Sequence, residues 1–102
     1  MAADALGELD RTLAARAAGP GETMTSASRP SYTRRLLADR NLRLKKIGEE
    51  SAEFLTACAD GDAGRAAEEG VDLIYHALVA LRGLGVSLED LRAIVARRAA
   101  GG

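Results

Sequence analysis

The chain has 102 residues, a net charge of −1 at neutral pH, 47% hydrophobic residues and only 3% aromatic ones. That length carries one domain, and the near-neutral charge argues against a general binder of nucleic acid or membrane surfaces. A core of Leu, Ile, Val and Ala with little aromatic mass, and no sustained alternation of β-branched and polar residues, points to packed helices rather than a sandwich.

The single cysteine, Cys58, leaves no internal disulfide and no cysteine-based zinc site, and its apolar neighbours place it in the core. No apolar run approaches the ~20 residues needed to cross a bilayer. The N-terminus lacks the basic-then-apolar pattern of a secretory signal, so a cytoplasmic protein is expected.

In chain order, residues 2–18 carry Leu6, Leu9 and Leu13 on one narrow helical stripe, ended by Gly19-Pro20-Gly21. A polar loop is expected from Gly19 to Pro30. Ser31 is placed to cap a helix beginning at Tyr32, and Asn41 to cap the next. From Leu42 to about Ala59 a helix gathers Leu44, Ile47, Ser51, Phe54, Leu55 and Cys58 on one side, with Lys46, Glu49, Glu50 and Glu53 roughly opposite. Gly61 suits the left-handed position after that helix, and Asp62 caps the following one, from about Ala63 to Gly83.

The helix after Asp62 has a wide apolar arc, with Ala67, Val71, Ile74, Leu78 and Leu81 on one side and Leu73, Ala77, Ala80 and Leu84 extending it. It should be covered on two sides, in a bundle or at a subunit interface. Its narrow polar stripe is Arg65, Glu69, Asp72 and His76. Ser87 and Asp90 form a capping box for a last helix, with Val86 and Leu91 as its hydrophobic staple and Leu88, Leu91, Ile94 and Val95 as its apolar face. The expected fold is an all-α antiparallel bundle of four to five helices whose core is completed by dimerisation.

Two acidic clusters carry the chemistry. Glu49, Glu50 and Glu53 fall three and four apart on one helix, and Glu69 and Asp72 repeat the spacing on the next. Like charges at these spacings repel. If the polar faces of the two helices meet, four or five carboxylates converge, and a divalent cation relieves the conflict. Magnesium suits carboxylate oxygens and keeps waters that a phosphate can replace. If the faces do not meet, these are two solvated acidic surfaces. His76, one turn from Asp72, is placed to hydrogen-bond that carboxylate or to touch substrate. Tyr32 and Tyr75 read as core residues with hydroxyls at the surface. There is no phosphate-cradling Gly-x-x-x-x-Gly-Lys loop, no Gly-x-Ser-x-Gly elbow and no two-histidine zinc motif.

Glu49-Glu50-x-x-Glu53 followed by Glu69-x-x-Asp72 resembles the signature of the all-α nucleoside triphosphate pyrophosphohydrolases, the MazG-like superfamily. More narrowly, four features resemble the phosphoribosyl-ATP pyrophosphohydrolases of histidine biosynthesis. They are Ser31-Tyr32-Thr33, Lys45-Lys46-x-Gly48-Glu49-Glu50, Asp72-Leu73-x-Tyr75-His76, and the run from Gly85 through Val86-Ser87-Leu88-Glu89-Asp90 to Leu91. The resemblance covers roughly residues 31–98, leaving an N-terminal helix and loop over 1–30 and a C-terminal tail over 99–102.

The resemblance implies magnesium-dependent hydrolysis of phosphoribosyl-ATP, the second step of L-histidine biosynthesis, by a cytoplasmic homodimer, with Mn2+ as a possible substitute for Mg2+. It implies Glu50, Glu53, Glu69 and Asp72 as metal ligands, and Glu49 as their support or the residue that orients the attacking water. Lys45, Lys46, Tyr32 and His76 would stand at the substrate. No nucleic-acid or membrane partner is expected. The thirty preceding residues are too few for the cyclohydrolase domain sometimes fused to this activity, so another chain is expected to supply the next step. Gly70 and Ser51 stand where the family more usually has alanine, and glycine in a helix interior costs about 1 kcal/mol. Two other readings remain open: a housecleaning (deoxy)nucleoside triphosphate pyrophosphohydrolase, and a non-catalytic helical dimerisation module.

Overall fold

A computed structural model describes residues 4–18 and 28–101. They form five helices: α1 (Ala5–Ala18), α2 (Ser28–Ala38), α3 (Arg40–Ala59), α4 (Ala63–Gly83) and α5 (Leu88–Gly101). The described residues contain no strand, so the all-α class stands. Among them no single helix is long and apolar enough to cross a membrane.

The scaffold of the site is the hairpin of α3 and α4, which share the most extensive interface among the described helices. Its turn follows from three residues. Gly61 takes a positive φ of 73°, which a side chain would resist. Its N–H donates to the Cys58 carbonyl at 3.0 Å, and the Asp62 N–H donates to Ala57 at 3.2 Å. These two bonds satisfy carbonyls left over at the end of α3, in a Schellman arrangement. Asp62 then caps α4 by accepting from the Arg65 N–H at 3.1 Å. The end of α4 repeats the device, with Gly85 at φ 81° and the N–H groups of Gly85 and Val86 closing on Arg82 and Leu81.

The capping box of α5 is present: the Ser87 N–H donates to Asp90 Oδ2 at 2.9 Å and the Asp90 N–H to Ser87 Oγ at 3.2 Å. However, α5 leaves α4 at a bend of 104° and does not fold back antiparallel. It is tied instead to α1, through Arg92 and Asp4 at 2.5 Å. Residues 99–101, expected as tail, are its last turn.

Two helix starts differ from expectation. α2 begins at Ser28, not Tyr32, and takes Pro30 into its first turn, where a missing N–H costs no intrahelical bond. The polar stretch expected from Gly19 to Pro30 otherwise lies outside the described residues. Asp39, not Asn41, caps α3 by accepting from the Leu42 N–H at 3.0 Å, so a single residue separates α2 from α3.

Arg43 on α3 secures that junction. Its Nη1 donates to the carbonyls of Leu36 and Leu37, at 3.0 and 2.7 Å, and its guanidinium lies where a Cβ on Gly83 would intrude, at 2.8 Å.

The buried core is Leu13, Leu36, Tyr75, Leu78, Val79 and Leu88, drawn from α1, α2, α4 and α5. α3 contributes Ala57 and, unexpectedly, Glu50. Its inward face is centred on Arg43, Glu50 and Ala57, roughly a quarter turn from the apolar arc read from the sequence. Only Ile47 and Phe54 of that arc are partly covered. Leu44, Leu55 and Cys58 are exposed, which corrects the placement of Cys58 in the core. On α4, Val71 and Ile74 also face outward, while Leu78 is buried.

Candidate metal-binding active site

Turning Glu50 inward sets it against the polar stripe of α4. Glu50, Glu69 and Asp72 each present one carboxylate oxygen, all within 4.8 Å of one another. Gly70 lies at this close approach: a Cβ there would stand 3.3 Å from Phe54 Cε1, so the ring would have to give by a few tenths of an ångström. The glycine that reads as a weakness of α4 is the place where the α3 aromatic ring lies against it.

The trio is electrostatically unbalanced. Burial pushes the Glu50 carboxyl above its ordinary range, and the charges of Glu53 and Asp72 push it the same way, against His76 and Lys46. Glu69 is raised by desolvation first, then by the charge of Glu53 and a hydrogen bond with it. Glu50 Oε1 and Glu69 Oε1 are buried and have no hydrogen-bond partner among the described residues. Buried carboxylate oxygens without donors cost free energy unless a cation fills the space. Three hard oxygen donors converging with two unpartnered atoms fit a hard divalent cation.

The other expected site residues are distributed around this centre. Glu53 is outside the close trio, and its charge pushes the carboxyls of both Glu50 and Glu69 upward. Glu49 points to the lysines: Lys46 Nζ is 3.2 Å from its Oε1 and Lys45 Nζ 3.9 Å from its Oε2. Lys46 also reaches Glu50 at 4.0 Å, and the hydrogen bond with Glu49 holds its ammonium above its usual value.

His76 is buried, and its bonds differ from expectation. Nδ1 lies 2.8 Å from the backbone carbonyl of Asp72, not from the carboxylate, and Nε2 lies 2.8 Å from the Tyr32 hydroxyl. The tyrosine hydroxyls are likewise turned inward rather than to the surface, with Tyr75 bonded to the buried Thr33 hydroxyl at 2.5 Å. Tyr32, Tyr75 and His76 also pack their rings together, with centroids 5.0 to 6.3 Å apart. Spacing along the chain reveals neither the Thr33–Tyr75 pair nor the role of Arg43, because both join segments whose relative approach the periodicity does not encode.

Comparison with known proteins decides the family. A family model described as phosphoribosyl-ATP pyrophosphohydrolase matches residues 7–99. The chain belongs to this family. The match takes in α1, which contributes Leu13 to the same core as the site helices. Among relatives, the chain is 40% identical over 93 residues to phosphoribosyl-ATP pyrophosphatase 1 of Bradyrhizobium diazoefficiens, covering 89% of this chain and 80% of that one. It is 48% identical over 67 residues to the phosphoribosyl-ATP pyrophosphatase of Halobacterium salinarum, covering 62% and 70%. It is also 47% identical over 75 residues to the histidine biosynthesis bifunctional protein HisIE of Prochlorococcus marinus, covering 72% of this chain and 34% of that protein. The chain thus spans about a third of that bifunctional relative.

Proposed function

We propose that this chain hydrolyses phosphoribosyl-ATP to phosphoribosyl-AMP and pyrophosphate in a magnesium-dependent reaction of L-histidine biosynthesis, in the cytoplasm. The observation that carries the reading is the convergence of Glu50, Glu69 and Asp72 from two helices, with two buried oxygens lacking donors, in a member of this family. The three would hold the cation, with Glu53 completing the ligand set through its place beside Glu69. A bound divalent cation neutralises phosphate oxygens and makes the anhydride easier to break.

This chain's own residues then have simple tasks. Lys46, and Lys45 at the rim, attract the triphosphate and fix its position. Glu49, exposed and next in sequence to Glu50, orients a water and accepts one of its protons as the water oxygen bonds to phosphorus. The bond between the α- and β-phosphoryl groups breaks, and its electrons leave with pyrophosphate. No covalent enzyme intermediate is required.

A second copy of the chain is proposed to complete the structure. Leu44, Leu55, Val71 and Ile74 are exposed large apolar residues on the two site helices. A concavity of about 360 Å³ beside Asp72 is lined by Ala67, Glu68, Val71 and Asp72, all from α4. Exposed apolar surface of this kind favours self-association, and a partner would supply the missing wall.

Pyrophosphate release from phosphoribosyl-ATP, set beside a panel of ordinary and damaged nucleoside triphosphates, tests the substrate. Turnover should be far higher with phosphoribosyl-ATP and should disappear in Glu50→Gln and Asp72→Asn. Preference for a simple nucleotide would assign a housecleaning role, and undiminished hydrolysis in both variants would remove the site. Sedimentation of wild type against Leu55→Glu tests the dimer.

A further inference from the structure

The hydrogen bonds of His76 carry an inference that rests on the metal-site reading. A backbone carbonyl only accepts, so the 2.8 Å contact between His76 Nδ1 and the Asp72 carbonyl places the ring proton on Nδ1. In the neutral ring Nε2 is then an acceptor, and the Tyr32 O–H, 2.8 Å away, donates to it. Both ring nitrogens are engaged inside the protein, and the ring is buried. His76 therefore has no nitrogen to offer a substrate or a cation.

We propose that Tyr32 and His76 are positioning residues, a relay by which α2 fixes the Asp72 turn of α4 and so sets the geometry of the cation site. The relay starts on α2 at the Tyr32 hydroxyl, passes through the imidazole and ends on the main chain of a carboxylate-bearing residue. Partners of this outer kind commonly change metal affinity or activity by about 10–100-fold when removed.

An adjacent pair provides an internal control. Thr33 and Tyr75 follow and precede the relay residues on the same two helices, and their hydroxyls bond at 2.5 Å in a buried position. That pair joins α2 to α4 through its two hydroxyls. A merely structural role for Tyr32 predicts that both pairs behave alike.

The test uses the full chain. As His76 is the only histidine, its 15N signals are unambiguous. Wild type should show the Nδ1–H tautomer, and Tyr32→Phe should shift the Nε2 signal as that nitrogen loses its donor. Mn2+ titration calorimetry should give at least about tenfold weaker binding in Tyr32→Phe. Its kcat should fall while KM for substrate holds. Tyr75→Phe should lower the melting temperature yet keep Mn2+ affinity within about twofold. An Nε2–H tautomer in wild type, unchanged Mn2+ affinity in Tyr32→Phe, or a raised KM at unchanged Mn2+ affinity would each overturn the relay. Absence of Mn2+ binding in wild type would instead remove the metal site itself.

Discussion

Replacing Glu50 with glutamine should stabilise the metal-free protein while destroying its response to metal. Glu50 offers an oxygen within 4.8 Å of one on Asp72. Two unit charges at that distance repel by about 0.9 kcal/mol with water-like screening and about 3.5 kcal/mol at an effective dielectric of 20. Asp72 is exposed, so the lower figure governs. The lost attraction to Lys46, a partly exposed pair at 4.0 Å, offsets a few tenths of a kcal/mol. The new amide, however, can donate to a neighbouring carboxylate. The net gain is about 1 kcal/mol, or about 4–8 °C in melting temperature for a domain of this size.

The pH dependence fixes the sign. The Glu50 carboxyl is raised above its ordinary value of 4.5, mainly by burial, so the folded state holds its proton more tightly than the unfolded chain. Wild type therefore loses stability as pH rises through that raised value, and bears no such cost below 4.5. Melts followed by far-UV circular dichroism, in chelator and at fixed protein concentration, should show the variant above wild type at pH 7 and the two converging toward pH 4.5. At pH 7, Mg2+ or Mn2+ should raise wild type, by about 2.7 kcal/mol at a hundredfold excess over Kd, and leave the variant unmoved. A variant that melts below wild type in chelator at pH 7 would show that repulsion among these acids is not what the fold bears.

Three further outcomes are expected. Gly70→Ala gains about 1 kcal/mol of helix propensity, but its methyl meets Phe54 at 3.3 Å, so the urea midpoint should not rise and Mn2+ affinity should fall; a full 1 kcal/mol of stabilisation would contradict the close approach. Arg43→Met keeps the aliphatic stem but strips two bonds from the last carbonyls of α2, so stability should drop by about 1–2 kcal/mol, with hydrogen exchange accelerating in α2 before α5. Ser87→Ala removes the acceptor for the Asp90 N–H and should cost about 1 kcal/mol in chemical denaturation, with no change in metal affinity.

The sequence discloses most where local chemistry decides the outcome. The limits of α4 follow from Asp62 before it and the Gly83-Leu84-Gly85 run that closes it, and the α5 cap follows from Ser87 and Asp90, because capping is decided within a few residues. The acidic pattern of the candidate site is legible for a similar reason, since helical spacing sets Glu50 and Glu53 on one face and Glu69 and Asp72 on another; of these, Glu50, Glu69 and Asp72 converge. Which face of α3 turns inward was not legible. Apolar periodicity marks Leu44, Leu55 and Cys58, whereas the chain buries Glu50 and Ala57, since α3 meets α4 along its acidic side. Periodicity reports where apolar groups lie, not which neighbour covers them. The start of α2 was missed because Pro30 reads as a boundary, yet a proline is tolerated in a first turn.

The three-residue turn between α3 and α4 bears on how the chain reaches its folded state. Its densest contacts join segments that are neighbours in sequence, and such contacts close quickly because little loop entropy is lost. α2, by contrast, takes its C-terminal support from Arg43 and its tyrosine bond from α4, so apart from its packing on α1 it gains these ties only once the hairpin exists. The same hairpin brings Glu50 toward Glu69 and Asp72. If these carboxylates hold a divalent cation, that cation should speed folding as well as favour its end point, which refolding rates in metal against chelator would check.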